Sequence, residues 1–232
     1  MPMLTRAAVL AAALLVAPLA ACSAPTEPGK AAASNKAAAA DETDAPEEAG
    51  APEGVAEPAK AAPPAFLEAS ELPPHASSDW TAGPVTDGFP PYGVACLGEV
   101  VPAYDYRHRV FRTDLDTGAA QVTIVTGSAV KGEALAALLN EEIRSCADPI
   151  EQKNPDTEAE VRDYGSLPVD DGAQVHGLHT TTSHGASDID LLSVGRDGRT
   201  VTIVSWGQMG TFADAPVADF KTTTTTAVDK LS

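Results

Sequence analysis

The chain contains 232 residues, with 33 Asp and Glu residues against 15 Lys and Arg residues and a formal net charge of −18 at pH 7. Such an excess of negative charge excludes an electrostatic attraction to nucleic acid or to an anionic membrane surface, because either would repel the protein. The sequence therefore predicts no nucleic-acid partner, and it favours cationic or neutral partners.

The first 22 residues have the layout of a bacterial export signal. A positive charge at Arg6 precedes an apolar stretch from Ala7 to Val16, which is shorter than the roughly 20 residues that a membrane-spanning helix needs. Together with the small residues before a cysteine, this order predicts a signal peptide over residues 1–21. The sequence Leu19-Ala20-Ala21-Cys22 resembles the lipobox of bacterial lipoproteins, in which the cysteine becomes the lipid-bearing N-terminus. The alternative is an ordinary secretory signal in which Cys22 occurs by chance.

Lipidation would also define where the protein resides. Acyl chains such as palmitate on Cys22 would anchor it firmly, because each buried methylene contributes about 0.8 kcal/mol. The predicted location is the outer face of the cell membrane, in the envelope of a Gram-positive bacterium. The membrane, reached through this lipid, is the one partner that the sequence identifies.

Residues 22–64 are predicted to form a disordered tether. From Ser23 to Pro64 there is no Leu, Ile, Met or aromatic residue, and Val55 is the only branched apolar side chain. Such a segment cannot bury enough apolar surface to offset the entropy of ordering it. As a flexible coil it would reach about 35 Å, and as extended polyproline II about 130 Å.

Residues 65–232 are predicted to form a single domain, and its remaining cysteines are predicted to pair. The domain keeps a charge of −14, since residues 1–22 contribute +1 and residues 23–64 contribute −5 to the total of −18. Cys96 and Cys146 form an even pair in an exported chain, which favours a disulfide. A helix from Gly132 to Cys146 supports this, because it places Cys146 on the same face as its apolar residues, Leu135, Leu138, Leu139 and Ile143. The alternatives are two free thiols or a redox pair.

Alternating apolar residues and turn signals predict that strands make up most of the domain. The expected strands are Tyr106–Thr113, one containing Val122–Val125, Val161–Leu167, Gln174–Thr182, Asp188–Gly195 and Arg199–Trp206, with turns at Asp114–Gly118 and Arg196–Gly198. The Asp197-Gly198 pair is a strong hairpin signal, because glycine accepts the positive φ that a tight turn demands.

A second helix is predicted from about Pro216 to Leu231, with Asp214 as its cap. Its apolar spacing favours a helix, although the run Thr222–Thr226 favours a strand. Two strand-turn-strand-helix halves then predict an α+β fold. Its sheet would be mostly antiparallel, with the two main helices packed on one face.

Several of these features occur together in a known family. Trp80, Cys96, the helix that ends in Leu139-x3-Ile143-x2-Cys146, the strand-Gly-Arg-x-Gly-strand of Val194–Val201 and a closing helix resemble the extracellular sensor domain of mycobacterial serine/threonine kinases of the PknH type. That domain also occurs in stand-alone actinobacterial lipoproteins, and the resemblance covers about Ser78 to Ser232. It implies a sensor-like domain with a ligand-binding cleft. This sequence departs from the family in having cysteines for one disulfide rather than two, and it contains no kinase domain.

The sequence shows no constellation typical of catalysis. It contains no Gly-x-Ser-x-Gly elbow and no phosphate-cradling glycine loop. Ser183-His184 and Ser187-Asp188 bring a serine, a histidine and an acid close together in sequence, but catalytic triads are recognised by geometry. We therefore predict no catalytic residue.

A metal site is also not predicted. His176, His179 and His184, with Asp188 and Asp190 nearby, are possible zinc ligands, but the odd spacing of His176 and His179 would put them on opposite sides of a strand. Asp114-x-Asp116-x-Gly118 resembles the start of a calcium loop but lacks its distal glutamate, so a hairpin turn is expected. No metal and no cofactor follow from the sequence.

One surface remains as a possible binding site. If helices cover only one face of the sheet, Val204 and Trp206 lie on the uncovered face and form an exposed apolar patch. Together, these features predict a non-enzymatic, lipid-anchored, sensor-like domain that binds a ligand or a protein in the cell envelope. The alternatives are a cell-wall hydrolase or esterase that uses His184 or a neighbouring acid, and a scaffold for another envelope protein.

Overall fold

The computed structural model describes residues 63–91, 94–97 and 105–232. The signal peptide, Cys22 and nearly all of the tether lie outside this part of the chain, so the predictions made for them stay predictions. The strands of the described part are β1 (Thr81–Ala82), β2 (Thr86–Asp87), β3 (Asp105–Arg112), β4 (Gly118–Val125), β5 (Thr157–Leu167), β6 (Ala173–Thr182), β7 (Ser187–Asp197) and β8 (Thr200–Met209). Its helices are a 3-10 turn (Ala69–Glu71), α1 (Ala129–Arg144), α2 (Ala147–Lys153) and α3 (Val217–Asp229). None of these helices is long and apolar enough to cross a membrane.

The strands form one sheet in the order β1-β3-β4-β8-β7-β6-β5, with β2 also paired to β3. Each of these strand pairs is antiparallel, which confirms the predicted α+β class and its mostly antiparallel sheet. The hairpins β3–β4 and β7–β8 lie side by side because β4 pairs with β8, with Val122 opposite Ile203. The predicted Asp-Gly turn joins β7 to β8, and Gly198 there has a φ of +52°, which explains the glycine.

Helix α1 begins three residues earlier than predicted, at Ala129. The hydroxyl of Ser128 accepts a hydrogen bond from the backbone N–H three residues further on, at 3.3 Å, and so caps the helix. Leu135, Leu139 and Ile143 are buried along one face, as their spacing predicts, but Leu138, which was predicted to lie with them, is 40% exposed. The chain then turns into the short helix α2, which the sequence analysis did not predict.

The threonine run forms part of helix α3, as the apolar spacing predicts. The hydroxyls of Thr222, Thr225 and Thr226 each donate to the carbonyl four residues earlier, at 3.1 to 3.3 Å. These bonds satisfy the hydroxyls within the helix, which offsets the preference of threonine for strands. The prediction of Asp214 as the helix cap is wrong, because its carboxylate accepts from the backbone N–H and the hydroxyl of Thr211, at 2.8 and 2.9 Å.

The two long helices pack on opposite faces of the sheet, so the prediction that both lie on one face is wrong. Helix α1 packs in the cluster that contains Val201 and Ile203, and α3 packs in the cluster that contains Val204 and Trp206. We call these two sides of the sheet the α1 face and the α3 face. The reason lies in the strands themselves, because alternate residues point to opposite faces and β8 carries apolar side chains on both. A sheet that is apolar on both faces must be covered on both.

The segment before β1 covers part of the α3 face beside the helix. The backbone N–H of Leu67 donates to the buried side chain of Gln121 at 2.7 Å. The guanidinium of Arg109 donates to the carbonyl of Leu67, also at 2.7 Å. The backbone N–H of Ala65 donates to the carbonyl of Lys230, just beyond α3, at 2.9 Å. The start of the domain is therefore tied both to the sheet and to the end of its last helix.

Candidate functional site

The surface predicted around Val204 and Trp206 is not exposed. Val204 has none of its surface exposed and Trp206 only 4%. Both pack on the α3 face in one cluster with Phe220 from α3 and Leu67 from the segment before β1. The prediction of an exposed apolar patch is wrong because it assumed that one face of the sheet had no cover.

Cys96 and Cys146 form the predicted disulfide, with their Cα atoms 5.5 Å apart. Val94 and Leu97, on either side of Cys96, are buried in the same cluster as Ile143 of α1. The bridge closes a loop of 50 residues, which by the chain-entropy account stabilises the fold by roughly 4 kcal/mol. It also holds the irregular segment 94–97 against the α1 face.

A cleft of about 570 Å³ opens on the α1 face, close to the turn that joins β3 to β4. Pro90 and Ala95 line it from the irregular segment, and residues of β3, β4, β6, β7 and β8 line it from the sheet. Because Ala95 precedes Cys96, the disulfide fixes this wall of the cleft. Among the described residues, those with polar side chains that line the cleft are Arg112, Asp116, Thr180, Asp188, Asp190, Ser205 and Gln208.

Asp190 is the most enclosed of the three carboxylates that the described residues bring to the cleft, since Asp116 and Asp188 are exposed. It pairs across the sheet with Gly207, and its Oδ1 occupies the space that a Cβ at position 207 would need. Only glycine leaves room for this carboxylate in its present position. Within the described part of the chain, no residue donates a hydrogen bond to it.

Burial and the negative charge of Asp188 raise the pKa of Asp190 from 3.8 to about 6. The two residues lie on the same face of β7 because they are two positions apart. Carboxyl groups whose pKa is raised by desolvation and a like charge occur often at catalytic and binding sites. At neutral pH, above its raised pKa, Asp190 is mainly ionised, so a cationic group in the cleft would be attracted to it and to the neighbouring negative charge of Asp188.

Neither a scan against models of protein families nor a search of curated proteins finds a match for this chain. The resemblance to kinase sensor domains therefore stays a prediction. What the cleft can bind follows from its own side chains.

The three histidines considered as metal ligands do not converge. His176 lies on the α1 face, where its Nε2 is 2.9 Å from Oδ1 of Asn140. His179 lies on the α3 face with its ring centroid 5.3 Å from that of Phe212, and His184 is exposed in the turn between β6 and β7. The odd spacing of the first two correctly predicted their separation. Within residues 63–91, 94–97 and 105–232, no group of three or more His, Cys, Asp or Glu residues is placed to hold a metal ion.

The serines and histidines considered for hydrolysis are also separated. Ser187 contacts His179 rather than His184, with 2.9 Å between Oγ and Nε2. The hydroxyl donates its single proton to the carbonyl of Gly210 at 2.8 Å, so it accepts a hydrogen bond from the imidazole. His179 is thus not placed as a base for Ser187 in this arrangement, and Asp188 points to the opposite face.

The Asp114-x-Asp116-x-Gly118 sequence forms the turn between β3 and β4, as predicted. The backbone N–H of Thr113 donates to the carbonyl of Thr117 at 3.2 Å and closes this turn. Asp116 contributes to the rim of the cleft, but the turn itself is explained by the hairpin.

Sequence reasoning named Asp190 only as a neighbour of possible zinc ligands and missed Gly207 altogether. A signal was present, because Asp190 is in phase with Leu192 and Val194, which face the core from the same side of β7. A charged residue at an inward position of a strand marks a special environment. The partner glycine could not be found from the sequence, since the pairing of β7 with β8 sets its position.

Proposed function

We propose that this protein is an exported lipoprotein, anchored through Cys22 at the outer face of the cell membrane of a Gram-positive bacterium, whose sensor-like domain binds a ligand in the cleft around Asp190. The lipobox-like sequence and the short apolar stretch before it support the anchor. The resemblance to kinase sensor domains supports a binding role without catalysis.

The observation that carries the binding role is the carboxylate of Asp190, which is enclosed in a cleft of drug-sized volume and receives no hydrogen bond from the described residues. With Asp188 beside it, this group favours a ligand that brings a positive charge and N–H donors. An ammonium group would satisfy the carboxylate and relieve its repulsion with Asp188. The ligand class is therefore a small molecule or a short side chain with a primary or secondary ammonium group.

Isothermal titration of the full chain carrying Cys22→Ala with 1,5-diaminopentane, and separately with the uncharged 1,5-pentanediol, tests this role. We expect saturable binding of the diamine alone. Asp190→Asn and Asp188→Asn should each raise the dissociation constant of the diamine about tenfold. A loss of this size is what one charge-assisted hydrogen bond contributes to binding. Asp229→Asn is the matched control, because it removes the same charge at an exposed position in α3.

Equal binding of the two compounds, or equal losses in all three variants, would contradict a site built around Asp190.

The protein-scaffold alternative predicts instead that no small cation binds and that a partner protein is recovered with the solubilised lipoprotein. One form of that alternative, addition of a strand at β5, meets an obstacle. The backbone N–H of Ala159 in β5 is already bonded to the side chain of Glu151 at 2.9 Å, and the carbonyl of Tyr164 to Lys221 at 2.7 Å.

The second candidate function is a glycan hydrolase, and the raised pKa of Asp190 beside Asp188 favours it specifically. Pairs of carboxyl groups with pKa values pushed apart serve as acid and base in glycoside hydrolysis. In that role Asp190 would protonate the leaving oxygen as the glycosidic bond breaks, and the carboxylate of Asp188 would accept a proton from the water molecule that attacks the anomeric carbon. Release of reducing ends from purified cell wall, abolished by Asp190→Asn but not by Asp229→Asn, would establish it. No release by the parent protein would exclude it.

A further inference from the structure

A second cavity, of about 630 Å³, lies at the other end of the sheet, where the segment before β1 meets β2, β3 and β4. Pro63, Pro64 and Phe66 line one side of it, and Thr123 and Val125 of β4 line another. The other described residues that line it are Asp87, Gly88, Asp105, Tyr106 and Arg107. None of these residues lines the acidic cleft.

Hydrogen bonds to the rest of the domain fix the backbone that forms the walls of this cavity. On one side, the main-chain bond from Ala65 to Lys230 and the bond from Leu67 to Gln121 fix the residues that flank Phe66. On the other side, the carbonyl of Gly88 lies 2.7 Å from the ring of His108. The cavity is therefore largely preformed, as ligand sites usually are.

The lining is mainly apolar, with one unusual polar group. Thr123 is 4% exposed, and its hydroxyl has no hydrogen-bond partner within the described part of the chain. The neighbouring hydroxyl of Thr202, in contrast, receives a hydrogen bond from Gln121 and donates one to the carbonyl of Val122. Buried polar side chains are nearly always paired, so the hydroxyl of Thr123 points to a missing partner.

A ligand in the cavity can supply that partner. The hydroxyl of Thr123 is itself buried, so a ligand in the cavity reaches it only if a rotation about χ1 brings the hydroxyl to the cavity surface. The body of the ligand must be apolar, because most of the lining is carbon and a charged group buried there would lose its hydration. Of the charged residues in the lining, Arg107 and Asp87 form an ion pair at 3.2 Å, and Asp105 is exposed to solvent, so the buried part of the lining is left without a charge.

We propose that this cavity binds a small, uncharged, largely apolar molecule that carries one hydrogen-bonding group, a hydroxyl or an amine, directed at Thr123. This site is independent of the proposed function of the acidic cleft. Its volume is in the range that encloses one drug-sized molecule.

The test uses the full chain with Cys22→Ala and the fluorescent probe 1-aminoanthracene, an apolar three-ring molecule with a single amine. We expect saturable binding with enhanced fluorescence. Thr123→Val, which keeps the shape of the side chain and removes the hydroxyl, should weaken it by about tenfold. It should leave the binding of 1-methylanthracene unchanged, because that probe has no hydrogen-bonding group. Val125→Phe should abolish the binding of both probes by filling the cavity, and Asp229→Asn, at an exposed position in α3, should bind both like the parent.

Absence of saturable binding, or equal effects of Thr123→Val on the two probes, would overturn the proposal. If circular dichroism shows that Val125→Phe does not fold, Val125→Leu takes its place. This variant should weaken the binding of both probes, and unchanged binding would count against the site. Binding that appears only after residues 55–62 are replaced by Gly and Ser would mean that the chain itself occupies the cavity. That result would also overturn the proposal of a small-molecule ligand.

Discussion

Asn140 determines which ring nitrogen of His176 carries the proton. Its Nδ2 donates to the carbonyl of Ala136 at 2.9 Å, so its Oδ1 faces the imidazole and accepts from Nε2, also at 2.9 Å. Nδ1 is then unprotonated, and it is buried with no partner within the described part of the chain. Adding a proton there would bury a charge, so desolvation lowers the pKa of His176 below its ordinary value of 6.5.

This relationship predicts that the protein loses stability in mild acid. Because the pKa of His176 is lower in the folded than in the unfolded state, its contribution is complete above pH 6.5 and is lost as the pH falls through the folded pKa. Urea unfolding at pH 7.5 and pH 5.5 measures the loss. His176→Gln, whose amide can still donate to Asn140, should reduce it, whereas the exposed His184→Gln should not. An unchanged pH dependence in His176→Gln would refute this explanation.

Asp190 gives the opposite pH dependence, since it lowers the free energy of unfolding as the pH rises. Its pKa is raised from 3.8 to about 6, so its contribution is present below pH 3.8 and is lost as the pH rises through about 6. Asp190→Asn does not suffer this loss and should be more stable than the parent at pH 8 by about 1 to 3 kcal/mol. The difference should shrink as the pH falls toward 4, as calorimetry across this range can show. Asp229→Asn should give no such gain, and a gain of equal size there would point to net charge as the cause.

Gly207→Ala should disturb the acidic cleft directly. The added methyl group would meet the carboxylate of Asp190 and the backbone carbonyl of Ile189, so the side chain of Asp190 must move. We expect a loss of about 1 to 3 kcal/mol in the free energy of unfolding, typical of overpacking. Gly118→Ala is the matched control, because Gly118 pairs with Gly207 and a methyl group there makes only an ordinary contact. Equal losses in the two variants would show that Asp190 is not the obstacle.

Removal of the disulfide should affect stability and the cleft together. Cys96→Ser with Cys146→Ser should cost about 2 to 5 kcal/mol in the free energy of unfolding. The wall formed by Ala95 should also loosen, so binding in the acidic cleft should weaken under conditions in which circular dichroism still shows a folded protein. Intact mass with and without reductant establishes the bridge in the parent. Full binding by a folded double variant would show that the wall does not depend on the bridge.

Cys22→Ala should release the protein from the membrane or leave its signal peptide uncut. The lipid is the only attachment that the sequence predicts, and the acidic domain would be repelled by anionic lipids. Fractionation of cells that express the parent or the variant, with mass analysis of the N-terminus, measures both outcomes. A variant that is fully processed and still bound to the membrane would mean that the anchor lies elsewhere.

The six long strands and the two long helices could be predicted because local sequence patterns specify them. Leu135, Leu139 and Ile143 recur at helical spacing, and Asp197-Gly198 marks a tight turn between two β-favouring runs. The disulfide could be predicted because an exported chain meets oxidising conditions and because two cysteines, an even number, remain after Cys22. The position of Cys146 at the end of an apolar helix face supported the same pairing. These are short-range signals, and the structure confirms the elements they predict.

The side of the sheet on which α3 packs could not be predicted in the same way. The error came from treating the sheet as apolar on one face, although Ile203 and Val204 are adjacent, both apolar and both fully buried. Adjacent buried residues on one strand require cover on both faces. The cleft depends on strand order and register, because the pairing of Asp190 with Gly207 joins residues whose partnership no local pattern specifies.

The way in which the start of the domain is fastened determines where a pulling force would act. In the described part of the chain, the residues that follow the predicted tether are held by the main-chain bond from Ala65 to Lys230 and the bonds of Leu67 with Gln121 and Arg109. A domain pulled from its membrane anchor would load these bonds together, at the last helix and at neighbouring strands of the sheet. The mechanical strain would thus be shared among several elements before any edge strand was peeled away.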